Sequence, residues 1–331
     1  MRNLFKNIFS SQSGSVAVVT ALSLTVLMGF SALVLDLGVS YNEASKLQNA
    51  LDSAALAAAR ELPAESINSA VWAAAKNAAI IFAASNDFDI TSDNIEPIYK
   101  DNDSTHNIVG IKVSKSIEVN YNFARVLGIN SGMVTRSASA GLTPVGGLRG
   151  AIPLSISSSS LSNAIAAGAV EGLTIKCSSN ADDIGIDCTG ESGWFGALRF
   201  DDTGASIYSN LIAYGFSGEL YIGQILDMEN GNMSGPTMDG FTTRYNSCTA
   251  GCTADSFEPD CPRLVYIPVV EVLSNNQVKI VSFAAFFLLE CGGSGNNSYI
   301  KATYIDDVVI PDSASGKSGQ DFGLYVTKIL E

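Results

Sequence analysis

The chain has 331 residues, of which 47% are hydrophobic and 16% are charged. This length and composition allow a membrane anchor and about two compact domains, and they exclude a disordered chain. The 19 basic and 33 acidic residues leave a net charge of −14, which argues against a nucleic-acid partner because phosphate binding requires clustered lysine and arginine.

The first informative segment is an apolar run close to the N-terminus. Residues 16–35 (VAVVTALSLTVLMGFSALVL) contain neither a charged residue nor proline. At about 1.5 Å per residue, a helix of this length spans about 30 Å, the thickness of a bilayer core. Arg2 and Lys6 precede the run and Asp36 follows it, so the positive-inside rule predicts a cytoplasmic stub at 1–15, a single transmembrane helix, and the rest of the chain outside the cytoplasm. A cleaved secretory signal would have a shorter apolar core and a clear small-x-small cleavage site.

Helical spacing continues beyond the membrane. Apolar residues recur at helical intervals until Pro63 closes the segment, with Gly38 as its one weak point. Residues 36–62 are therefore predicted to project from the membrane as an alanine-rich helix, continuous with the transmembrane part. Alanines allow another helix or a sheet to approach closely, which offers a surface for partners or for self-association. The same composition also follows simply from the high helix propensity of alanine.

Residues 14–59 resemble the N-terminal region of Flp-pilus assembly proteins of the TadE/TadG type. The resemblance is carried by an ordered string of residues, Asp36, Gly38, Tyr41, Leu47, Gln48, Asn49, Ala50 and Asp52, followed by Ala54, Ala55, Leu56, Ala57, Ala58 and Ala59. It implies a component of the tight-adherence pilus and secretion apparatus of a bacterial cytoplasmic (inner) membrane or cell surface. The implied partners are the lipid bilayer and other proteins of that apparatus.

Two features of related proteins are missing from the sequence. Pilins processed by prepilin peptidase carry glutamate five residues after the cleavage glycine, and counting from Gly14 that position holds Val19. A filament-packed pseudopilin is therefore not expected. Some TadG-like proteins carry a von Willebrand A domain with a metal-binding Asp-x-Ser-x-Ser string, and this string does not occur here, so no adhesion site of that kind is predicted.

The next part of the chain is predicted to be a small α+β unit at 64–145. An apolar helix from about residue 64 to 85 contains Lys76, whose insertion into a bilayer costs about 2.5–3.5 kcal/mol, so a soluble helix packed on a sheet is preferred. Strand-like runs near Ile95, from Ile108, and at 133–142 follow, with a short helix ending at Gly128. Glycines at 146–150 indicate a linker.

Residues 151–331 are predicted to form a mostly-β domain of barrel-like or sandwich-like type, because strand-like runs recur at short spacing. Helical patterns occur only near 158–169 and 205–213. Residues 231–237 (GNMSGPT) are interpreted as a tight turn, with a small-ligand loop as the alternative. Parts of this region resemble, less specifically, the C-terminal regions that accompany the same anchor in other TadE/G-like proteins.

All cysteines lie in the second half of the chain. They number six, an even count that fits disulfide bonds in an oxidising compartment, with the connectivity left open: Cys177, Cys188, Cys248, Cys252, Cys261 and Cys291. Zinc is the alternative, since Cys248-x3-Cys252 could begin a site. No histidine lies nearby, however, and no C-x2-C pair completes the pattern.

The sequence predicts no catalytic, cofactor or metal site. His106 lies in a polar stretch without a Gly-x-Ser-x-Gly string, Pro311 breaks a phosphate-loop pattern before Lys317, and the paired acids such as Asp306–Asp307 lack the spacing of a calcium loop. The chain is therefore predicted to be a structural or assembly component, not an enzyme, that acts by tethering and protein contacts. The alternative is a membrane-anchored carbohydrate-binding module or hydrolase in the C-terminal domain.

Overall fold

The computed structural model describes residues 12–176, 196–200, 202, 204–229, 233–273, 276–310 and 318–330. The chain divides into two compact units. The first unit is drawn from Met1–Gly141 and Ile329–Glu331, and the second from Leu142–Lys328.

The first unit begins with one long helix and continues as a helix and three strands. Its elements are α1 (Gln12–Ala59), α2 (Ala70–Ala84), β1 (Ile95–Tyr99), β2 (Ile108–Asn120) and β3 (Ser131–Pro144). Helix α1 has 48 residues and passes through Gly38 without interruption, which confirms the prediction of an apolar helix that continues into a long one.

The N-terminal part of α1 is apolar and exposed on nearly all sides, as expected of a helix surrounded by lipid. Among the described residues, α1 is the one helix long and apolar enough to cross a membrane. Both threonine hydroxyl groups in this part bond back to the preceding turn: Thr20 Oγ1 donates to Val16 O (2.8 Å) and Thr25 Oγ1 donates to Ala21 O (2.7 Å). These polar side chains therefore carry no unpaired donor into the apolar segment.

The C-terminal part of α1 packs against α2 and β2. Its buried side chains recur at helical spacing and are completely inaccessible to solvent: Leu47, Ala50, Leu51, Ala54, Ala55, Ala58 and Ala59. Helix α2 begins at Ser69, whose Oγ accepts a hydrogen bond from Trp72 N, and it also buries alanines. The alanine face of residues 36–62 thus allows close packing on this chain's own α2 and β2, and projection of this segment from a membrane stays a prediction.

Strands β1, β2 and β3 form an antiparallel arrangement in that order. Residues 110–120 of β2 pair without a break with residues 131–141 of β3. The connection between them contains a 3-10 turn at Ala124–Leu127, which ends at Gly128 in the left-handed region (φ 84). The predicted strands and the short helix ending at Gly128 are confirmed.

The second unit is rich in strands. The central sheet has the order β5-β10-β11-β12-β6, and β9 pairs with both β11 and β7. Its strands are β5 (Ile156–Ser157), β6 (Leu173–Thr174), β7 (Leu198–Arg199), β9 (Ile225–Met228), β10 (Leu264–Val272), β11 (Gln277–Gly292) and β12 (Tyr299–Ile305). Shorter pairs surround it: β4 (Gly147–Leu148) with β8 (Leu220–Tyr221), and β13 (Val308–Ile310) parallel to β14 (Leu324–Leu330).

Both faces of the central sheet are covered, which explains why β10 and β11 read as nearly continuous apolar runs. Phe286 on β11 contributes to the core beneath three helices, α3 (Ser158–Ala166), α4 (Ala205–Tyr214) and α5 (Ser234–Ser247). Phe283, three positions earlier, belongs to the core on the other face, together with residues of β4, β8, β13 and β14. The unit is rich in β-strands, as predicted, but helices and not a second sheet cover one face of its central sheet.

Two local expectations differ from the structure. From Ser234 onward the expected tight turn is the first turn of α5; Pro236 lies in that turn, where an amide hydrogen has no partner within the helix. The expected linker at 146–150 instead contributes β4, and the adjoining Val145 and Leu148 are buried in the core of the second unit.

Candidate functional site

The most distinctive polar site of the first unit is formed by Asp36, the residue that directly follows the apolar run. Its side chain is only 3% exposed and accepts three backbone N–H groups. Oδ1 accepts from Asn122 N (2.8 Å), and Oδ2 accepts from Phe123 N (3.0 Å) and Ala124 N (2.6 Å). These N–H groups precede and begin the 3-10 turn at Ala124–Leu127, where the backbone donors have no partner of their own. Asp36 therefore joins the end of the apolar helix to the β2–β3 connection.

Other residues of the string also have roles inside the chain. Gln48 Nε2 donates to Ser137 O on β3 (3.1 Å) and to Asp52 Oδ1 (2.9 Å). Leu47 and Ala50 are buried in the packing of α1. One half of the string thus holds α1 on its own folded unit.

The remaining residues of the string point away from the first unit. Tyr41 is 75% exposed, Asn49 is exposed, and a Cβ added at Gly38 would meet nothing within 4 Å. Leu37 beside them is also exposed. These positions form an open face of α1 just beyond the apolar run, which we call the outer face of α1 (Leu37, Gly38, Tyr41 and Asn49).

An apolar concavity lies where the apolar helix meets the 3-10 turn. It encloses about 620 Å³ and is lined by side chains such as Leu27, Met28 and Ala32 of α1 and Phe123 and Val126 of the turn. Val126 is 89% exposed, and Phe123 and Ile129 are about half exposed. The lining offers no charged group, so this concavity suits an apolar occupant and not a polar substrate.

Three of the cysteines converge in the second unit. The sulfur atoms of Cys248, Cys252 and Cys261 all lie within 4.8 Å of one another, and Cys248 Sγ is 3.7 Å from Cys261 Sγ. Cys291 lies apart from this cluster, with its sulfur 3.8 Å from Thr242 Oγ1. All four are free thiols in the structure. Cys177 and Cys188 lie outside the described residues, and disulfide bonding of this domain stays a prediction.

The thiols of the cluster differ in acidity. Burial raises the pKa of Cys261 to about 11. Burial also raises the pKa of Cys248, but hydrogen bonds from the backbone N–H of Cys252, from the other two thiols and from the Ala250 N–H bring it below its ordinary value. Within the cluster, the pKa of the Cys248 thiol is therefore lower than the pKa of the Cys261 thiol.

A buried amine in the second unit was not expected from the sequence. The Lys176 side chain is 3% exposed, and its Nζ donates to Ser234 Oγ (2.9 Å) and to the Ser298 hydroxyl. A lysine beside a serine is a known nucleophile–base pairing. Here both serines are buried as well, so the described part of the chain leaves a substrate no access to them. Ser234 lies 58 residues and Ser298 lies 122 residues after Lys176 in the chain, so no local sequence pattern points to this group.

Where the structure describes them, the other residues weighed in the sequence do not converge on a site. His106 Nδ1 lies 3.6 Å from Asp101 Oδ2, and both side chains are largely exposed. Asp306 accepts the backbone N–H of Asp307 within a turn. The acids at 182, 183 and 201 and most of the 311–318 segment lie outside the described residues.

Comparison with known proteins identifies one relationship. The family model described as putative Flp pilus-assembly TadE/G-like matches residues 14–61. No curated protein and no solved structure shows a significant match to the chain. The matched segment contains the apolar run, Asp36 and the rest of the string analysed above. Residues 14–61 are therefore similar to the TadE/G-like Flp pilus-assembly family, and among the described residues they contain the one helix that is long and apolar enough to cross a membrane.

Proposed function

We propose that this protein is a membrane-anchored structural component of a Flp (tight-adherence) pilus or a related surface apparatus. Residues 1–15 lie in the cytoplasm, residues 16–35 cross the cytoplasmic (inner) membrane, and both folded units lie in the periplasm or outside the cell. The family match and the charges that flank the apolar run support this assignment.

The observation that carries the proposal is the position of Asp36. A buried carboxylate at the end of the membrane segment binds the backbone of the β2–β3 connection, so the first unit is held at the membrane border and does not hang on a flexible tether. A rigid attachment of this kind suits a protein that positions partners in an assembly. A soluble catalyst has no need of it.

The outer face of α1 is the proposed contact for another protein of the apparatus. Tyr41 and Leu37 are exposed although they belong to or adjoin the family string, and the opposite face of α1 is already covered by α2 and β2. Exposed aromatic and aliphatic side chains beside a glycine allow a second helix to pack closely. The proposed occupant is the membrane-anchored helix of another apparatus protein.

The lipid bilayer is the second proposed partner. Phe123, Val126 and Ile129 project beside the apolar helix, and the concavity between them is apolar. In water such a patch would be unfavourable, whereas at the membrane interface it lies among acyl chains. The 3-10 turn then adds a second attachment next to the helix.

Two experiments test the proposal. Alkaline phosphatase fused after Glu331 is expected to be active in intact cells, since this enzyme folds only outside the cytoplasm. The same enzyme fused to an exported control protein must be active in the same cells. If it is, an inactive fusion to Glu331 would overturn the proposed orientation.

A photo-crosslinking amino acid at position 41 is expected to capture a pilus-apparatus protein. The same group at position 93, an exposed site before β1, serves as the control. Equal capture at both positions, or capture of this chain alone, would contradict the proposed partner.

A further inference from the structure

The cluster of three cysteines has the geometry of a metal site. Cys248 directly follows α5, Cys252 lies in the loop that follows, and Cys261 lies three residues before β10. Two thiolates bound to one tetrahedral zinc ion at about 2.3 Å each stand about 3.8 Å apart. The separation of 3.7 Å between Cys248 Sγ and Cys261 Sγ matches this edge, and the third sulfur lies within 4.8 Å of both.

The number of thiols points in the same direction. A disulfide bond between two of these sulfurs would leave the third thiol of the cluster outside that bond. A metal ion accepts all three sulfurs at once. Three protein ligands also leave one of the tetrahedral positions for water or another ligand.

Neighbouring side chains hold the cysteine cluster in place. Cys252 and Cys261 are buried, and Phe287, with no exposed surface, packs against them. Arg263 Nη1 donates to Cys252 O (3.0 Å), while its Nε donates to Leu288 O (2.8 Å). The guanidinium thereby fixes the backbone of the cysteine loop to β11.

We propose that Cys248, Cys252 and Cys261 bind one zinc ion as three thiolates, and that this ion fastens the 248–261 loop between α5 and β10. Binding releases the thiol protons to solvent and involves no change of oxidation state. Thiolate ligands select zinc over magnesium or calcium. The site is separate from the membrane-border contacts and does not depend on the proposed pilus role.

The test uses the full chain purified in detergent without added reductant or chelator. Elemental analysis is expected to find about one zinc per chain. When a chelator has removed the zinc and cobalt is added in its place, the protein is expected to show sulfur-to-cobalt charge-transfer absorption. The Cys252→Ser variant should lose both signals. The Cys291→Ser variant, whose sulfur lies outside the cluster, should keep both and is the matched control.

A second measurement on the unmodified chain does not depend on how a variant folds. Alkylation of the native protein should leave the three cysteines unmodified, and a zinc chelator should expose all of them to the reagent. Peptide mapping that finds a disulfide bond involving any of the three would overturn the site, as would zinc retained equally by Cys252→Ser. Zinc-free protein whose three thiols react before chelation would overturn it as well.

Discussion

The carboxylate of Asp36 accepts a 2.6 Å hydrogen bond from the backbone N–H of Ala124, 88 residues further along the chain. Asn122 and Phe123 donate to the same carboxylate. The Asp36 side chain thus accepts hydrogen bonds from backbone N–H groups that have no other partner among the described residues at the start of the 3-10 turn, and it joins this turn to the end of the apolar run in α1. The contact explains why an acidic residue directly follows the apolar run.

Asp36→Ala should loosen the turn at 122–124, because the buried N–H groups lose their acceptor. We expect faster hydrogen exchange of these amides and earlier proteolysis within 122–130. Asp36→Asn should have a smaller effect, since its side chain keeps one carbonyl oxygen as an acceptor. Glu43→Ala, a partly exposed change on the same helix, is the control and should leave exchange at 122–124 unchanged. Unchanged exchange in Asp36→Ala would show that the contact does not hold the turn.

Gln48→Ala should weaken the attachment of α1 to β3. The amide donates to Ser137 O and to Asp52 Oδ1, and a hydrogen bond of this kind contributes about 0.5–1.5 kcal/mol net. Asn49→Ala lies on the exposed side of the same helix and gains more helix propensity than Gln48→Ala does, so each variant is compared with the parent chain. Thermal unfolding of the full chain in detergent should show a lower midpoint for Gln48→Ala than for the parent chain, whereas Asn49→Ala should not lower it. A midpoint of Gln48→Ala equal to or above that of the parent chain would mean that the Gln48 contact to β3 contributes nothing measurable.

The sequence allows prediction of the first unit because its signals are local. The apolar run at 16–35, the helical spacing up to Pro63 and the alternation in β2 are each contained within one element. The role of Asp36 could not be predicted in the same way. Its partners are backbone N–H groups 86 to 88 residues away in the chain. Since nearly every residue type has a backbone N–H group, the sequence does not indicate which residues donate to Asp36.

The second unit shows where local signals fail. Helix α5 contains Gly235, Pro236 and Gly240, which are poor helix formers, and its stability comes from tertiary packing. Phe241 is completely buried, and Arg244 Nη1 donates to Pro262 O (3.0 Å). The cysteine spacing left disulfide and zinc as alternatives, and only the fold shows that three thiols converge while Cys291 stays apart.

Gly240→Ala should destabilise the second unit. An added Cβ would lie 2.7 Å from Ser209 O and 2.7 Å from Ile212 Cβ on α4, and the backbone oxygen cannot rotate away. We expect a loss of about 1–3 kcal/mol from the forced separation of the two helices. At Gly235 nothing lies within 4 Å of an added Cβ, so Gly235→Ala is the matched control and should be neutral or stabilising by up to about 1 kcal/mol. Denaturant unfolding of both variants measures the difference, and an equal effect of the two substitutions would exclude close helix packing as its cause.

Lys176 should make the stability of the second unit depend on pH. Burial lowers the pKa of its amine below the ordinary 10.5, so the folded chain releases this proton at a lower pH than the unfolded chain does. Between the two pKa values the unfolded state binds more protons, and the free energy of unfolding therefore rises with pH across that window.

The comparison of the parent chain with Lys176→Met isolates this contribution. Free energies of unfolding measured at several pH values below the ordinary lysine pKa of 10.5 should rise more steeply with pH for the parent chain than for Lys176→Met, because methionine carries no titrating group. The buried Cys261 thiol is present in both proteins and cancels in the difference. If Lys176→Met keeps the slope of the parent chain, the Lys176 amine remains protonated in the folded protein, and its contacts with Ser234 and Ser298 hold a charged group instead of a neutral one.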